Sequence, residues 1–205
     1  MSKTADDSIP TKGLPSAVIS ERGLLSTSAT GSTRSLSTCS STRIGTRKTQ
    51  EDRLVVCEDF YGHCVLAVFD GTVGDFASHF CQENFLHFLH ESESFQLLSK
   101  GMNEVPEGQD VPTEIASHAV QALAEALVAT DNALIEECAR LSNNYASSTA
   151  VVAMVTRGNL VSVAHLGDSR VAVGTSGQSS TFVTADHKAD TASERQRIES
   201  SGGSV

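Results

Sequence analysis

Several side chains in this sequence could bind a divalent cation if the fold brings them together. Asp70 follows an apolar run, residues 66–69, so a buried strand would hold its carboxylate rigidly at the edge of a sheet. Gly71 comes next, and a residue without a side chain lets its own carbonyl approach a ligand closely. The acidic pair Glu51 and Asp52 precedes the strand predicted to pair with that of Asp70. Hard cations prefer carboxylate and carbonyl oxygens, so these residues predict a metal site.

A predicted hairpin would bring these carboxylates together. Residues 54–58 and 64–69 are apolar and β-branched, and Tyr61-Gly62-His63 separates them. The start of the first strand of a hairpin lies beside the end of the second, so the acidic pair should converge on Asp70. Three neighbouring carboxylates repel one another unless a cation neutralises them. The alternatives are an ordinary Asp-Gly turn at Asp70 and a solvated acidic pair at the strand entrance.

Arg47 and Asp168 extend the candidate site. Arg47 stands four residues before Glu51 and could hold a phosphate by a bidentate contact, although single arginines are more often plain surface residues. Asp168 lies at another predicted strand end, where the alternative is a tight turn with Arg170 as its local partner. His187 lies in a further turn, and we expect it to hold that loop rather than to transfer protons.

Composition and charge exclude several classes of function. At 205 residues with 39% hydrophobic residues, the chain has room for one substantial globular domain. Residues 1–50 carry 7 basic and 3 acidic side chains, whereas residues 51–205 carry 8 basic and 22 acidic ones, so their net charges are +4 and −14. An acidic body argues against nucleic acid as a partner, because phosphate backbones attract lysine and arginine. No apolar run approaches the ~18 residues of a membrane span, so no membrane partner is expected.

The cysteines and the N-terminal segment indicate an intracellular protein with a tail. Five cysteines, an odd number, show no zinc-binding spacing, and we expect reduced thiols. His87 and His90 have i, i+3 spacing, but a solvated helix face explains them better than zinc does. Residues 1–42 are rich in Ser and Thr and are predicted to be a disordered tail. We expect a cytoplasmic protein, with the nucleus as the alternative, because acidic residues in the tail disfavour a mitochondrial presequence.

The remaining chain, residues 43–205, is predicted to contain strands, then two helices, then strands and a last helix. Periodic apolar positions predict helices from residue 75 to about 89 and from Thr113, as N-cap, to about 141, with a polar loop at 101–112. Two hairpins follow, with strands at 149–156 and 160–166 and at 171–173 and 181–183, and turns at 157–159 and 176–178. The last helix is predicted at 192–200. Strands joined by tight turns favour antiparallel sheets with helices against one face.

In this order and spacing, the motifs resemble those of metal-dependent Ser/Thr protein phosphatases, the protein phosphatase 2C family. The resemblance covers residues 43–205. The matching elements are Arg47-x-x-x-Glu51-Asp52, Asp70-Gly71, Ser148-Thr149-Ala150-Val151, Gly167-Asp168-Ser169-Arg170, Asp186-His187-Lys188, Glu194, Arg197-Ile198 and Gly202-Gly203-Ser204-Val205. One such match would be weak evidence, whereas all of them in order are specific.

The resemblance implies a fold and a function. The fold is α/β, of the α+β type, in which two packed antiparallel sheets are flanked by helices as an α-β-β-α sandwich. The function is metal-dependent hydrolysis of phosphoserine and phosphothreonine in proteins. The implied enzyme is a monomer whose partners are its phosphorylated protein substrates.

The same resemblance assigns roles to the candidate site. It implies two Mn²⁺ or Mg²⁺ ions, and a third, weaker one, held or oriented by Glu51, Asp52, Asp70, Gly71 and Asp168. Asp70 would bridge the first two ions, and Asp168 would help to bind the third. Arg47 would hold the substrate phosphate while a metal-activated water attacks phosphorus in line.

Two departures from the family pattern favour a second hypothesis. The family usually places a histidine after Asp-Gly as general acid for the leaving alkoxide, and this chain has Thr72, whose hydroxyl is far too weak an acid. The family also has two later metal-binding aspartates, which this chain lacks, so we expect a domain that is incomplete at its C-terminus. The alternative function is therefore a catalytically inactive phosphatase-like domain, or a truncated fragment, that acts as a binding or regulatory module.

Overall fold

The computed structural model describes residues 21–24, 36–157, 160–174 and 182–205. These residues form eight strands and four helices. In chain order the elements are β1 (Glu21–Leu24), β2 (Asp52–Phe60), β3 (His63–Thr72), α1 (Phe76–Glu91), α2 (Glu93–Glu104), α3 (Thr113–Leu141), β4 (Ser147–Ser148), β5 (Ala150–Thr156), β6 (Leu160–Leu166), β7 (Ala172–Val173), β8 (Phe182–Val183) and α4 (Ala192–Ser200).

Six of the strands form one antiparallel sheet around β3. Five lie in the order β1-β6-β5-β3-β2, and β4 pairs with the far end of β3. Apolar and β-branched residues alternate along β3, so that Val65 and Phe69 are buried on one face while Val68 and Asp70 are exposed on the other. The register places Asp52 of β2 opposite Asp70 of β3. Strand β3 thus carries a carboxylate at one end of the sheet.

The first three helices form the layer that holds this sheet in place. Phe69 of β3 and Phe85 of α1 are fully buried, with ring centroids 6.0 Å apart. The long helix α3 packs against α1 and α2 and presents fully buried alanines at Ala119, Ala122 and Ala126. Small side chains allow neighbouring helices to approach closely. Burial of this apolar surface is the main driving force for folding, and it keeps β3 rigid.

The expected fold class is confirmed. The structure is mixed α/β, with antiparallel sheets and four helices. Within the described residues, the second sheet is the two-stranded pair of β7 and β8. The final helix, Ala192–Ser200, has the predicted bounds. Among the described helices, none combines the length and the apolar character that a membrane crossing requires.

Helix α2 is not among the predicted elements, and the predicted polar loop at 101–112 is wrong at its start. Residues 101–104 are the last turn of α2. The helix begins with a cap, because the Ser92 side chain accepts a hydrogen bond of 3.2 Å from the backbone N–H of Phe95. Phe95 and Met102 lie on its buried face. The sequence therefore contains a cap and apolar residues that favour this helix, but the glycine in its last turn favours a loop.

That glycine, Gly101, is required by packing rather than by a turn. A Cβ atom at Gly101 would lie 2.9 Å from the Cγ1 atom of Ile115, the residue of α3 that packs against it. The predicted start of α3 is also shifted by one residue. Thr113 is its first helical residue, and Pro112 takes the cap position without a side-chain hydrogen bond.

The segment predicted to be a tail, residues 1–42, is described only at 21–24 and 36–42. Glu21–Leu24 form β1, which pairs antiparallel with β6 at the edge of the sheet, so these four residues are part of the sheet. The side chain of Thr38 also donates a hydrogen bond to Glu58 of β2. Most of the predicted turn at 157–159, and the whole of the one at 176–178, lie outside the described residues.

Candidate metal centre

Asp52 and Asp70 occupy directly opposed positions, where β2 begins and β3 nears its end. Partial burial raises the pKa of the Asp70 carboxyl, and the charge and hydrogen bond of Asp52 and the charge of Asp168 raise it further. The positive charge of Arg47 opposes them. The structure thus brings four of the predicted site residues within electrostatic range of one another.

The backbone at Gly71 lies tightly against the start of β2. Its N–H donates a hydrogen bond of 3.3 Å to the main-chain carbonyl of Glu51. A Cβ atom at Gly71 would lie 2.7 Å from the Ser78 hydroxyl and 2.8 Å from the carbonyl oxygens of Glu51 and Gly74. Only glycine fits this position without displacing main-chain atoms.

Glu51 enters the site through its backbone. Its carbonyl accepts hydrogen bonds from the Gly71 N–H and from the Ser78 hydroxyl. Its carboxylate accepts a hydrogen bond of 3.2 Å from the Thr49 hydroxyl. The carbonyl therefore positions Gly71, while the predicted role of the carboxylate in orienting metal-bound water stays a prediction.

A hydroxyl network fixes the backbone of Asp70 from the other side. The Asp70 N–H donates to the Thr149 hydroxyl at 3.2 Å, and the Asp70 carbonyl accepts from the Thr149 N–H at 2.9 Å. The Ser148 hydroxyl donates to the same carbonyl at 3.1 Å. The hydroxyls of Thr149 and Ser169 are 2.6 Å apart, which links Asp70 to the loop that carries Asp168. These residues belong to motifs that can be identified in the sequence, but no pattern there assigns a role to their hydroxyls.

The loop of Asp168 is held by its glycine and by an arginine. Gly167 adopts a φ of +91°, and a Cβ atom there would lie 2.7 Å from Cγ2 of Thr149. Arg170 donates two hydrogen bonds to Asp186, of 2.5 and 2.8 Å. These bonds, with a smaller contribution from Lys188, lower the pKa of Asp186 to about 2. Arg170 therefore binds the Asp186 carboxylate, and the exposed Asp168 carboxylate remains within electrostatic range of Asp70.

The predicted loop histidine, His187, stacks on His165. The ring centroids are 4.6 Å apart, and the planes meet at 22°. The Nε2 atom of His165 is 2.9 Å from the carbonyl oxygen of Ala185. Burial is the largest cause that lowers the pKa of His187, so its ring is neutral near pH 7. The pair packs the loop onto the end of β6.

The position after Gly71 carries Thr72, whose backbone pairs with Ser147 of β4. Its side chain is exposed, at the place where the family resemblance expects a general acid. Val73 follows with a φ of +62° and a side chain that is 66% exposed. A β-branched residue with positive φ is strained. The strand end is thus turned sharply beside Asp70.

Arg53 connects the turn after Thr72 to the segment that carries Glu51 and Asp52. Its guanidinium donates to the main-chain carbonyls of Gln50 and Asp52 at 2.9 and 2.8 Å. It also forms an ion pair with Asp75, the residue before α1. The arginine was not among the predicted site residues, because its partners lie on two different segments.

The donor set fits a hard cation only in part. Among the described residues, no three side chains of His, Cys, Asp or Glu form a group that could hold a metal ion. The opposed pair of Asp52 and Asp70 nevertheless offers oxygen atoms, and its mutual repulsion would be relieved by a cation. Mg²⁺ is commonly bound through one or two carboxylates, with waters completing the shell. The chemistry of the pair therefore fits Mg²⁺ or Mn²⁺.

Comparisons with known proteins agree with these motifs. The family model described as protein phosphatase 2C matches residues 38–205. A crystal structure of a serine-threonine phosphatase 2C from Toxoplasma gondii is similar, with a TM-score of 0.67 and 36% identity over 79% of this chain and 53% of that one. The structure of a sex determining protein of C. elegans, 23% identical with a TM-score of 0.58 over 77% of this chain and 36% of that one, supports the fold alone.

Curated relatives carry the same family name. Probable protein phosphatase 2C 22 of Arabidopsis thaliana is 29% identical over 173 residues, which cover 79% of this chain and 38% of that protein. Protein phosphatase ppm-1.A of Caenorhabditis elegans is 33% identical over 141 residues, which cover 68% of this chain and 28% of that protein. The chain thus spans less than half the length of these relatives. With a family model that matches most of its residues, the chain belongs to the protein phosphatase 2C family.

Proposed function

We propose that this domain hydrolyses phosphoserine and phosphothreonine in proteins, with Mn²⁺ or Mg²⁺ as cofactor. The observation that carries the proposal is the opposed pair of Asp52 and Asp70, with Arg47 in electrostatic range. Two carboxylates held together in a rigid sheet cost free energy unless a cation binds between them. A nearby guanidinium can bind a phosphate monoester through charge-assisted hydrogen bonds.

The proposed roles follow the family resemblance. The metal ligands would be oxygen atoms of Asp52, Asp70, Gly71 and Asp168, with Glu51 acting through water. When bound, such ions would lower the pKa of a water ligand and so supply a nucleophile at neutral pH. Arg47 would hold the phosphate oxygens in line with that attack.

The chain's own hydrogen bonds supply the rigidity that this chemistry requires. Thr149 holds the Asp70 backbone through two hydrogen bonds, and Ser169 extends the contact to the Asp168 loop. Arg53 fixes the start of β2 against the turn that follows Thr72. Ligands whose own conformations are locked by such contacts stay in the geometry that the reaction needs.

The alternative is a phosphatase-like module that binds phosphoproteins without hydrolysing them. The specific observation in its favour is Thr72, an exposed residue at the position where the family resemblance expects the general acid. A threonine cannot donate a proton efficiently to a departing alkoxide, and losing general acid catalysis typically slows a reaction by ~10²–10⁴-fold. Arg47 would still bind the phosphate group in such a module.

Turnover and binding measured together separate the two functions. We would measure hydrolysis of p-nitrophenyl phosphate and of a phosphothreonine peptide with Mn²⁺, with Mg²⁺ and with EDTA, in the natural full-length protein. Asp70→Asn should abolish turnover, whereas Asp110→Asn, in an exposed loop, should not. Full activity in EDTA or in Asp70→Asn would contradict the metal-dependent mechanism. Peptide binding that depends on Arg47, without any turnover, would favour the binding module.

Partners and location are part of the same proposal. The relatives are named as protein phosphatases, which supports phosphorylated proteins as substrates. The acidic composition of residues 51–205 disfavours nucleic acid. We propose a monomer in the cytoplasm. Sedimentation of the purified protein and imaging of a tagged form in cells would check these two points.

A further inference from the structure

A cavity of about 420 Å³ lies at the opposite end of β3 from the acidic pair. It is bounded by the turn between β2 and β3, by α2 and by the end of β5. His63, on its wall, and Asp70 are seven residues apart on β3, which at ~3.3 Å per residue is roughly 23 Å. The volume is in the usual range for small-molecule sites. The cavity is therefore separate from the candidate metal centre.

One wall of the cavity is aromatic. Tyr61 stacks on His90 with ring centroids 4.7 Å apart and an interplanar angle of 26°. The Tyr61 ring also meets Phe95 edge-on, at 6.1 Å. The backbone holds it there, because Tyr61 has a φ of +52° and the N–H of Gly62 donates to the Asp59 carboxylate at 2.9 Å. Tyr61 is 64% exposed, so part of it remains accessible to a ligand.

The cavity also carries an arginine. Arg157 lines it, and among the described residues its guanidinium donates one long hydrogen bond, of 3.4 Å, to the Val105 carbonyl. A guanidinium has five N–H donors. Within the described parts of the chain, Arg157 forms no ion pair. None of the ten residues that line the cavity is acidic, although residues 51–205 carry 22 acidic side chains.

Further polar groups of the lining complete the site. The Ser99 hydroxyl is buried, and no hydrogen-bond partner is found for it among the described residues. Gln96 donates through Nε2 to the His90 carbonyl at 2.6 Å, which leaves its own carbonyl oxygen as an acceptor. Burial lowers the pKa of His63, the charge of Arg157 lowers it further, and the charge of Asp59 raises it. The Arg157 guanidinium therefore lies within electrostatic range of His63 on the cavity wall.

We propose that this cavity binds a small aromatic anion, whose flat ring stacks on Tyr61 and whose carboxylate or phosphate is held by Arg157. The Ser99 hydroxyl satisfies its missing hydrogen bond with the bound ligand. Binding here leaves the candidate metal centre open, so this site is distinct from the proposed substrate site.

The test uses benzoate as the probe and NMR amide shifts as the readout, in EDTA. Benzoate should shift the amide signals of Ser99 and Asn103, on the cavity wall, and leave that of Asp70 in place. Benzamide, which keeps the ring but lacks the charge, and cyclohexanecarboxylate, which keeps the charge but lacks the flat ring, should both bind more weakly. Phenylphosphonate then shows whether the anion site prefers phosphate to carboxylate.

Variants decide which residues hold the probe. Arg157→Gln should weaken benzoate binding by about tenfold or more, because it removes charge-assisted hydrogen bonds. Ser99→Ala should weaken it by a smaller factor. Arg140→Gln, which changes an exposed arginine at the end of α3, is the matched control and should leave the affinity unchanged. Equal affinity in Arg157→Gln and wild type, shifts centred on Asp70, or no shifts at tens of millimolar benzoate would each overturn the proposal.

Discussion

Asp52 and Asp70 face each other directly across the β2–β3 pair, at the end of the sheet that holds the candidate metal centre. Burial raises the pKa of Asp70, and the charge of Asp52 is the next largest cause. Like charges directly opposite each other in an antiparallel pair destabilise it. Without a cation, this end of the sheet therefore opposes folding near neutral pH.

Removing one of the two charges should stabilise the metal-free protein. Asp52→Asn should raise the free energy of unfolding in EDTA at pH 7 by about 0.5 kcal/mol, the typical size of a cross-strand charge effect. The pKa of Asp70 is higher in the folded than in the unfolded state, so ionisation of Asp70 reduces the stability of the fold. This loss of stability is absent below the unfolded pKa and develops as the pH rises through the folded pKa.

Urea unfolding at several pH values checks this prediction. The gain from Asp52→Asn should be present at pH 7 and should fade as the pH drops below the pKa of Asp70, where the carboxyl is protonated. Asp110→Asn, in an exposed loop, is the control and should show no such pH-dependent gain. A variant that is less stable than wild type at pH 7 in EDTA would contradict the repulsion argument.

Gly71→Ala should destabilise the domain by about 1–3 kcal/mol, the usual cost of overpacking. The added Cβ atom would lie 2.7 Å from the Ser78 hydroxyl and 2.8 Å from the carbonyl oxygens of Glu51 and Gly74. Ser78→Ala removes the hydroxyl contact but leaves the two carbonyl contacts. Gly71→Ala should therefore destabilise the Ser78→Ala variant nearly as much as it destabilises the wild type. Thermal melts of the four proteins give the comparison. If Gly71→Ala costs no stability in the Ser78→Ala background, the main-chain contacts do not resist the added Cβ atom, and the prediction is wrong.

Sequence patterning predicts elements whose signals are local. The strand at 160–166 and the helix at 192–200 match Leu160–Leu166 and Ala192–Ser200, because turn residues lie next to each of them in the sequence. Helix α2 could not be predicted in full, because Gly101 is a breaker by propensity. Gly101 is accommodated in this helix because the side chain of Ile115, from helix α3, packs against it where a Cβ atom would otherwise lie.

The same distinction applies to the candidate site. Hairpin geometry predicts Asp52 beside Asp70, because antiparallel pairing follows from a short turn between neighbouring strands. The hydrogen bond between Thr149 and Ser169 joins positions 20 residues apart, and no spacing rule links two hydroxyls at that separation. The cavity at Tyr61 and Arg157 likewise depends on how α2 packs against the turn.

Val73→Gly should stabilise the turn beside the candidate site. Val73 has a φ of +62°, which costs a residue with a Cβ atom roughly 1–2 kcal/mol. Glycine removes this strain but loses more entropy on folding, so the net gain should be about 0.5–1 kcal/mol. Val56→Gly is a matched control in strand β2, where the same change should destabilise. Equal losses in both variants, measured by urea unfolding, would contradict strain at Val73.

Arg170→Met should raise the pKa of Asp186 from about 2 toward its ordinary value, because the largest cause of the shift is lost. Lys188 remains, so the pKa should stay below the usual range. A lowered folded pKa stabilises the protein above the unfolded pKa, and this contribution disappears as the pH falls through about 2. The variant should thus be less stable than wild type at pH 7, with the difference closing in acid.

NMR titration of the side-chain carboxyl carbons measures the Asp186 pKa directly. Arg140→Met removes another exposed arginine that pairs with a carboxylate, Glu137, and it should leave Asp186 unchanged. An unaltered Asp186 pKa in Arg170→Met would mean that the two hydrogen bonds of 2.5 and 2.8 Å do not govern its ionisation.

Thr72→His tests whether the turn after Gly71 is where a general acid belongs. If the domain hydrolyses phosphopeptides, the threonine leaves proton transfer to the departing alkoxide uncatalysed. A histidine there should then raise the phosphopeptide rate by roughly tenfold or more, within the ~10²–10⁴ that a well-placed acid contributes. The rate with p-nitrophenyl phosphate should change little, because p-nitrophenolate departs without a proton. Thr72→Gln, polar but without an acid, should raise neither rate. Equal gains on both substrates, or none on either, would show that the side chain of residue 72 does not reach the leaving oxygen.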